Sequence, residues 1–221
     1  MTTQELHDTV FEYVVKNLAP QSRVIDLGAG QGAFSRRLKA LGHEVLAVDG
    51  DGSNWKVPDV DFREVDLDSE FAEKNLKGEK FDAVVAIEII EHLENPFSFI
   101  RQCARLLKPG GILFVTTPNV EAINSRILFL VKGRMLYFDE YATMRPAHIT
   151  PVFSWKLDMA LEEANFETIE DRYIRRVFTL GTNTLKGRLS AILSLLAYPF
   201  VKGKKYGENR IVVARLKNMV S

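Results

Sequence analysis

Val24-Ile25-Asp26-Leu27 is a short apolar run broken by one acid, and it passes directly into Gly28-Ala29-Gly30-Gln31-Gly32. Apolar residues then return at helical spacing from Ala33 to Leu41. A buried strand, a turn with glycine at alternate positions and a helix N-terminus leave few options for the fold around them. Glycine takes positive φ cheaply and lets the backbone approach a ligand, while the first helical turn offers N–H groups with no intrahelical partner. The combination predicts a cradle for a nucleotide-like ligand.

The glycines alone can be laid on the dinucleotide fingerprint G-x-G-x-x-G/A, which is a weak signal. Asp26 shifts the balance. An acid inside the strand, two residues before the first glycine, meets a pyrophosphate with the wrong sign and suits a ligand carrying a cationic amine. Asp26-Leu27-Gly28-Ala29-Gly30-Gln31-Gly32 closely resembles the first motif of the Rossmann-like S-adenosylmethionine-dependent methyltransferases, whose cofactor has an amino acid end. Glu44 to Val48 reads as a second strand ending in Asp49, 21 residues beyond Gly28, where Rossmann-type folds place an acid on the ribose. A vicinal diol donates two hydrogen bonds and a carboxylate can accept both. Both cofactor types carry that diol, so Asp49 does not separate them. A third strand, Asp61 to Val65, leads into Asp66-Leu67-Asp68. The resemblance implies that Asp66 accepts from the adenine amino group, with Leu67 in the same cofactor-binding set. The competing reading makes Asp66 the N-cap of a helix from Glu70 to Leu76. Both roles can coexist if Asp68 does the capping.

The rest of the chain repeats the alternation. Leu6, Val10, Tyr13, Val14 and Leu18 recur at helical spacing up to Pro20, predicting a helix that packs over the cofactor cleft. Phe81 to Ile87 is a continuous apolar strand of the kind buried on both faces of a parallel sheet. Asn95 and Pro96 open a helix running to Leu107, and Lys108-Pro109-Gly110-Gly111 stops it before a fifth strand, Ile112 to Thr116. Leu107 to Gly111 resembles the same family's turn before that strand. An irregular insertion spans 120–151, Ser154 to Asn165 reads as a helix, and strands are expected at Phe166 to Ile174 and Asn209 to Leu216. The expectation is one α/β methyltransferase domain over 1–221, a doubly wound Rossmann-like seven-stranded sheet. It is mostly parallel with an antiparallel strand near its C-terminal edge, and it carries two inserted cap segments, 120–151 and 175–208. The resemblance covers about Arg23 to Ile174. A nicotinamide dehydrogenase would need a second βαβ half and a substrate domain, for which 221 residues leave no room.

Composition removes several function classes. Formal net charge is zero, against a general polyanion binder, and Cys103 is the sole cysteine, against a disulfide framework or a cysteine-based metal site. Cys103 itself reads as a core thiol. Met1 to Pro20 reads as an amphipathic helix and not as a signal peptide, and no apolar run reaches the ~18 residues that span a bilayer. The expected location is cytoplasmic.

Glu88-Ile89-Ile90-Glu91-His92 follows the fourth strand. In a helical turn, Glu88, Glu91 and His92 would share one face above the strand tips, where the methyl group should lie. Two carboxylates and an imidazole in one cleft repel unless they are protonated, paired or bridged by a cation. The Glu-x-x-Glu-His segment with a later histidine, here His148 in Ala147-His148-Ile149-Thr150-Pro151, resembles ubiquinone-pathway O-methyltransferases and small-RNA 2′-O-methyltransferases. That resemblance implies Glu88, Glu91, His92 and His148 as ligands of Mg2+ or another divalent cation that engages the acceptor oxygen. Without a metal, Glu91 and His92 order the loop, and His92 or His148 is the candidate general base. Tyr137, Phe138 and Tyr141 either wall the acceptor pocket or form the insertion's own small core.

The segment 175–208 carries Leu185, Leu189, Ile192, Leu193, Leu196 and Phe200 at helical spacing, and cations without acids from Arg175 to Tyr206. It reads as a peripheral membrane contact through 185–205, as a lid over a lipid-like acceptor, or as a core helix with solvated basic ends. Arg126, Arg134 and Arg145 read either an anionic acceptor or solvent. The expected function is S-adenosylmethionine-dependent methyl transfer to oxygen of a small-molecule acceptor, quinone-like, lipid-linked or glycan-type. The rivals are an RNA 2′-O-methyltransferase, disfavoured by the neutral charge and the lack of an appended RNA module, and a cofactor-binding protein without catalysis.

Overall fold

The computed structural model describes residues 2–138, 147–174 and 185–218. Seven strands, β1 (Arg23–Leu27), β2 (Glu44–Asp49), β3 (Asp61–Glu64), β4 (Phe81–Ala86), β5 (Leu107–Pro118), β6 (Phe166–Ile174) and β7 (Asn209–Leu216), form one sheet in the order β3-β2-β1-β4-β5-β7-β6. β1 to β5 run parallel, and β7 lies antiparallel to both β5 and β6. The doubly wound Rossmann-like sheet with an antiparallel strand near its C-terminal edge is therefore present. β1 and β4 are buried on both faces over most of their length, which matches sequences that are apolar except at Arg23, Asp26 and Asp82.

The helices are α1 (Thr2–Asn17), α2 (Ala33–Ala40), α3 (Phe71–Lys74), α4 (Pro96–Leu106), α5 (Ile123–Lys132), α6 (Ser154–Glu163) and α7 (Leu185–Ala197). Leu6, Val10 and Val14 of α1 pack with Phe34 and Leu38 of α2 on one face of the sheet. Phe71, Phe99, Ile100, Leu157 and Leu161 from α3, α4 and α6 cover the other. α4 starts where its sequence says it should: Asn95 Oδ1 accepts from Ser98 N at 3.1 Å and Pro96 occupies the first turn. Chain order reverses between β1 and β4, so the crevice above their C-terminal ends is the ligand site of such a sheet.

Four local expectations need correction. β5 begins at Leu107, not Ile112, because Leu107 already pairs with Phe81, and the glycine turn sits in a register shift before Ala83 pairs with Ile112. The helix expected from Glu70 to Leu76 is the single turn α3. Asp68 does not cap it: its Oδ1 accepts from Glu94 N at 2.7 Å, across the crevice mouth. The insertion 120–151 is not wholly irregular, since it contains α5. Ala122 and Ile123 bury against Ala197, Tyr198 and Val201, so the two insertions share a core of their own. Asn119, at the end of β5, fixes this joint by turning its side-chain amide toward the carbonyls of Lys204, Tyr206 and Gly207 at 2.9 to 3.0 Å. No helix among the described residues is long and apolar enough to cross a membrane.

Candidate active site

The loop after β1 is held by β2. Gly28 N and Ala29 N both donate to Val48 O, at 2.8 and 3.0 Å, and Gly30 N donates to Asp49 Oδ2 at 2.8 Å. Gly28 has φ +76°, and a Cβ there would lie 2.7 Å from the Ile89 side chain. Gly30 has φ +55°, but a Cβ there would meet nothing within 4 Å. The loop is closed on its inner side and open where a ligand would sit. A cavity of about 220 Å³ is lined by Asp26, Gly28, Gly30, His7, Phe34 and Ile87 among others. Asp26 is buried, and its Oδ2 accepts from Ser35 Oγ at 2.5 Å. Burial pushes its carboxyl up to about 6; the Ser35 hydroxyl opposes the shift and the nearby Asp49 charge adds to it. A cationic ligand group would hold the carboxylate ionised against both its burial and the Asp49 charge.

A second cavity, about 450 Å³, is lined by Asp49, Asp66, Leu67, Ile89, His92 and Ala147 among others. Asp49 Oδ1 also accepts from Asp51 N at 3.1 Å, and Asp66 Oδ1 from Asp68 N at 3.0 Å. Each carboxylate oxygen has two lone pairs, so both acids retain acceptor capacity toward the cavity.

His92, which lines this cavity, converges with Glu91 and His148, one ligand atom from each lying within 4.8 Å of the others. His92 and His148 meet edge to face, ring centroids 4.7 Å apart. The backbone brings them together: Glu91 O accepts from both Ile149 N and Thr150 N at 3.0 Å, and Thr150 Oγ1 donates to Leu93 O at 2.5 Å. Glu91 is fully buried, yet Oε1 and Oε2 have no hydrogen-bond partner, and neither do His92 Nδ1 and His148 Nδ1. The Thr117 hydroxyl stands beside Glu91 without closing a bond. Burial pushes the Glu91 carboxyl up to about 8, with the Glu88 charge adding to it. Burial also lowers both imidazoles, and His92 further lowers His148. They are neutral near pH 7, with lone pairs available. The backbone of Ala147 beside His92, and that of Tyr137 beside His148, partly offsets this lowering. Orphaned buried donors and acceptors on this scale ask for a ligand. One carboxylate and two imidazoles suit a divalent transition ion.

Of the expected site residues, Asp26, Gly28 and Gly30 meet at the smaller cavity, Asp49, Asp66 and Leu67 at the larger one. Gly32 lies elsewhere: its Cβ position falls 2.4 Å from Val57 and 2.8 Å from Trp55, so it serves packing beneath the loop. Glu88 is outside the cluster of three. Its φ of +49° breaks the helical continuation that would have aligned it with Glu91, and only Ile90–His92 forms a turn of 3₁₀ helix. Glu88 N donates to Thr116 Oγ1 at 2.9 Å and Glu88 Oε1 accepts from Asn209 Nδ2 at 2.7 Å, which ties it to β5 and β7. Phe138 and Tyr137 flank the His148 ring, with centroids at 5.5 and 6.5 Å. Arg126 serves the joint, donating to Glu121 O and Lys202 O. Tyr141, Arg145, Arg175 and Arg176 lie outside the described residues. Sequence reasoning missed His7 and Phe34 of the smaller cavity and the backbone of Tyr137 and Ala147. His7 follows a core position of α1 and could have been found by projecting that helix over the loop; a backbone group leaves no residue-type signal.

The description "Methyltransferase domain" fits residues 3–171 as a family model. The chain belongs to that methyltransferase family. Its relatives include the ubiquinone biosynthesis O-methyltransferase of Xanthomonas campestris pv. campestris, 37% identical over 124 residues, which are 52% of this chain and 51% of that protein. The chain thus spans about half the length of the curated relatives it matches. A crystal structure of an S-adenosylmethionine-dependent methyltransferase from Archaeoglobus fulgidus superposes with TM-score 0.68 at 18% identity, over 96% of this chain and 93% of that one. The Burkholderia thailandensis 1,6-didemethyltoxoflavin-N1-methyltransferase, solved with S-adenosylhomocysteine, gives 0.59 at 18%, over 94% and 76%. These likenesses establish the Rossmann-like fold of the S-adenosylmethionine-dependent methyltransferases.

Proposed function

We propose that this methyltransferase carries the methyl group of S-adenosylmethionine to a hydroxyl oxygen of a small molecule, with a quinone-like or other lipid-linked phenol as the leading acceptor class. The observation that carries the reading is the convergence of four partnerless buried atoms, Glu91 Oε1 and Oε2, His92 Nδ1 and His148 Nδ1, beside the cavity lined by Asp49 and Asp66. The name of the Xanthomonas relative supports oxygen as the acceptor atom. Asp26 faces the cofactor's ammonium, Gly30 leaves room for its amino acid end, Asp49 accepts from the ribose diol, and Asp66 with Leu67 receives the adenine. Glu91, His92 and His148 hold a divalent cation. When bound, that cation supplies Lewis acidity that lowers the acceptor hydroxyl's pKa. The chain's own part is orientation: the backbone of Ala147 lies beside His92 and that of Tyr137 beside His148, and Phe138 and Tyr137 keep water from one side. The acceptor hydroxyl gives up its proton to solvent, and as the oxygen–carbon bond forms the sulfur–carbon bond breaks and S-adenosylhomocysteine leaves.

The test is methyl transfer from labelled S-adenosylmethionine to catechols and hydroquinones, before and after chelation, with Mg2+, Mn2+ or Zn2+ restored. Label in a methyl ether, lost on chelation and regained with one ion, is the expected result. Chelation-insensitive transfer would make neutral His92 or His148 the base instead. Label found only on nitrogen or carbon sinks the reading.

Two glycine variants separate scaffold from cradle. Gly28→Ala places a methyl against Ile89 at positive φ and should cost about 2 kcal/mol of stability, read by urea unfolding. Gly30→Ala meets no protein atom, so it should cost about 1 kcal/mol yet weaken cofactor binding at least about tenfold in calorimetry. Unchanged affinity in Gly30→Ala would remove the amino acid end from this loop.

A further inference from the structure

The helical joint built by the two insertions has its polarity reversed. Along α7 and the turn after it, Ser194, Ala197, Tyr198 and Val201 are spaced as one helical stripe, and the last three pack on Ala122, Ile123 and Ile127 at α5. Ser194 in that stripe is 1% exposed with its hydroxyl unpaired, and Ser125 of α5 is likewise buried. The opposite stripe is apolar and faces solvent: Ile192, Leu193, Leu195, Leu196 at 65% and Phe200 at 86% exposure. α5 does the same at its C-terminal turn, where Phe129, Leu130 and Val131 are 51%, 81% and 66% exposed. Serine inside and leucine outside is the reverse of a water-facing helix pair, and large exposed apolar patches mark contact surfaces.

Charge selects the partner. Residues 123–138 contain Arg126, Lys132 and Arg134 without an acid, and 185–207 contain Lys186, Arg188, Lys202, Lys204 and Lys205 without an acid, in a chain whose net charge is zero. Lys132 and Lys202 are exposed at the ends of the two apolar stripes. α7 has only cations around it up to Glu208, whereas α5 also has Glu121 before it and Asp139 and Glu140 after Phe138. A short apolar helix with a cationic border lies in the plane of a bilayer and is drawn to anionic headgroups. Neither helix can span.

We propose that α5 and α7 form one docking surface for an anionic phospholipid bilayer, with Leu130, Leu196 and Phe200 entering the acyl boundary and Lys132 and Lys202 at the headgroups. This surface is independent of what Glu91, His92 and His148 bind. It is continuous with the acceptor side, because α5 leaves the end of β5 through Asn119 and the chain beyond α5 carries Tyr137 and Phe138 to His148. A membrane-dissolved acceptor would then reach the cluster without crossing bulk water.

Cosedimentation of the full chain with vesicles of phosphatidylcholine, or phosphatidylcholine mixed with phosphatidylglycerol, tests this. The chain should pellet with the mixed vesicles, and binding should fall at least about tenfold without the anionic lipid, in high salt, or in Lys202→Glu. The Leu196→Glu/Phe200→Glu double variant should stay in the supernatant while binding S-adenosylmethionine as the wild type does. If that variant misfolds, Leu130→Glu on the other helix reads the same surface. Absence of wild-type pelleting with mixed vesicles, pelleting of the Leu130 and Leu196/Phe200 variants equal to that of the wild type, or a dimer in sedimentation velocity that these variants dissolve in place of vesicle binding would each overturn it.

Discussion

Glu91→Gln should make the cation-free protein more stable at neutral pH while lowering methyl transfer at least about a hundredfold. Both effects stem from a buried carboxyl that has no hydrogen-bond partner. Its folded pKa, pushed up to about 8 from the ordinary 4.5, means that folding favours the protonated form. The carboxyl's contribution to stability is therefore fully present below about pH 4.5 and is lost as pH rises toward 8. At pH 7 the loss is on the order of 2–3 kcal/mol, which for a domain of this size is about 5–10 °C in melting temperature. Glutamine stays neutral and escapes that loss. Thermal melts from pH 5 to 8, with and without a divalent ion, check it: the wild type should decline steeply with pH without the ion and recover with it, whereas Glu91→Gln should keep only the shallower decline that Asp26 contributes and gain little from the ion. A variant less stable than the wild type at pH 7.5 in chelator would show that the carboxylate has a partner in the chain.

Asp49→Ala should weaken S-adenosylmethionine binding by about two to three orders of magnitude, since two hydrogen bonds to a charged acceptor are lost together. Asp49→Asn should lie between, because an amide oxygen still accepts once but its NH₂ opposes a donor. The effect is expected to be more than the ribose contacts alone, as Asp49 Oδ2 also holds Gly30 N at 2.8 Å and so keeps the loop in its open form. Calorimetric titration with S-adenosylmethionine and with S-adenosylhomocysteine should show matching losses, since the two share the ribose. A deficit confined to S-adenosylmethionine would place Asp49 near the sulfonium instead.

The sheet was legible because its strands are short, apolar and punctuated: Phe81 to Ala86 and Asn209 to Leu216 stand within a residue of their expected limits. β5 was not, as nothing local shows that Leu107 pairs with Phe81 before the glycine turn. Asp26 and Gly30 line one cavity and Asp49 and Asp66 the other because each sits at or just beyond a strand's C-terminal end, and strand ends are legible in sequence. Glu88 could not be placed by spacing. One left-handed residue is enough to void an i, i+3, i+4 argument, and a glutamate carries no warning that it will adopt φ +49°. The polarity reversal of α7 was equally hidden. Periodicity identifies a stripe without saying which side faces water, and that depended on α5, more than sixty positions earlier in the chain, supplying the surface on which Ala197 and Val201 settle.

The double grip of Ile149 and Thr150 on the Glu91 carbonyl separates two design problems that share one stretch of chain. The outgoing end of the insertion is anchored through Asn119, and the returning end is clipped to the same residue whose carboxyl enters the cluster. The positions between 138 and 147 can therefore be exchanged with both anchors, and the Tyr137 and Phe138 rings beside His148, left in place.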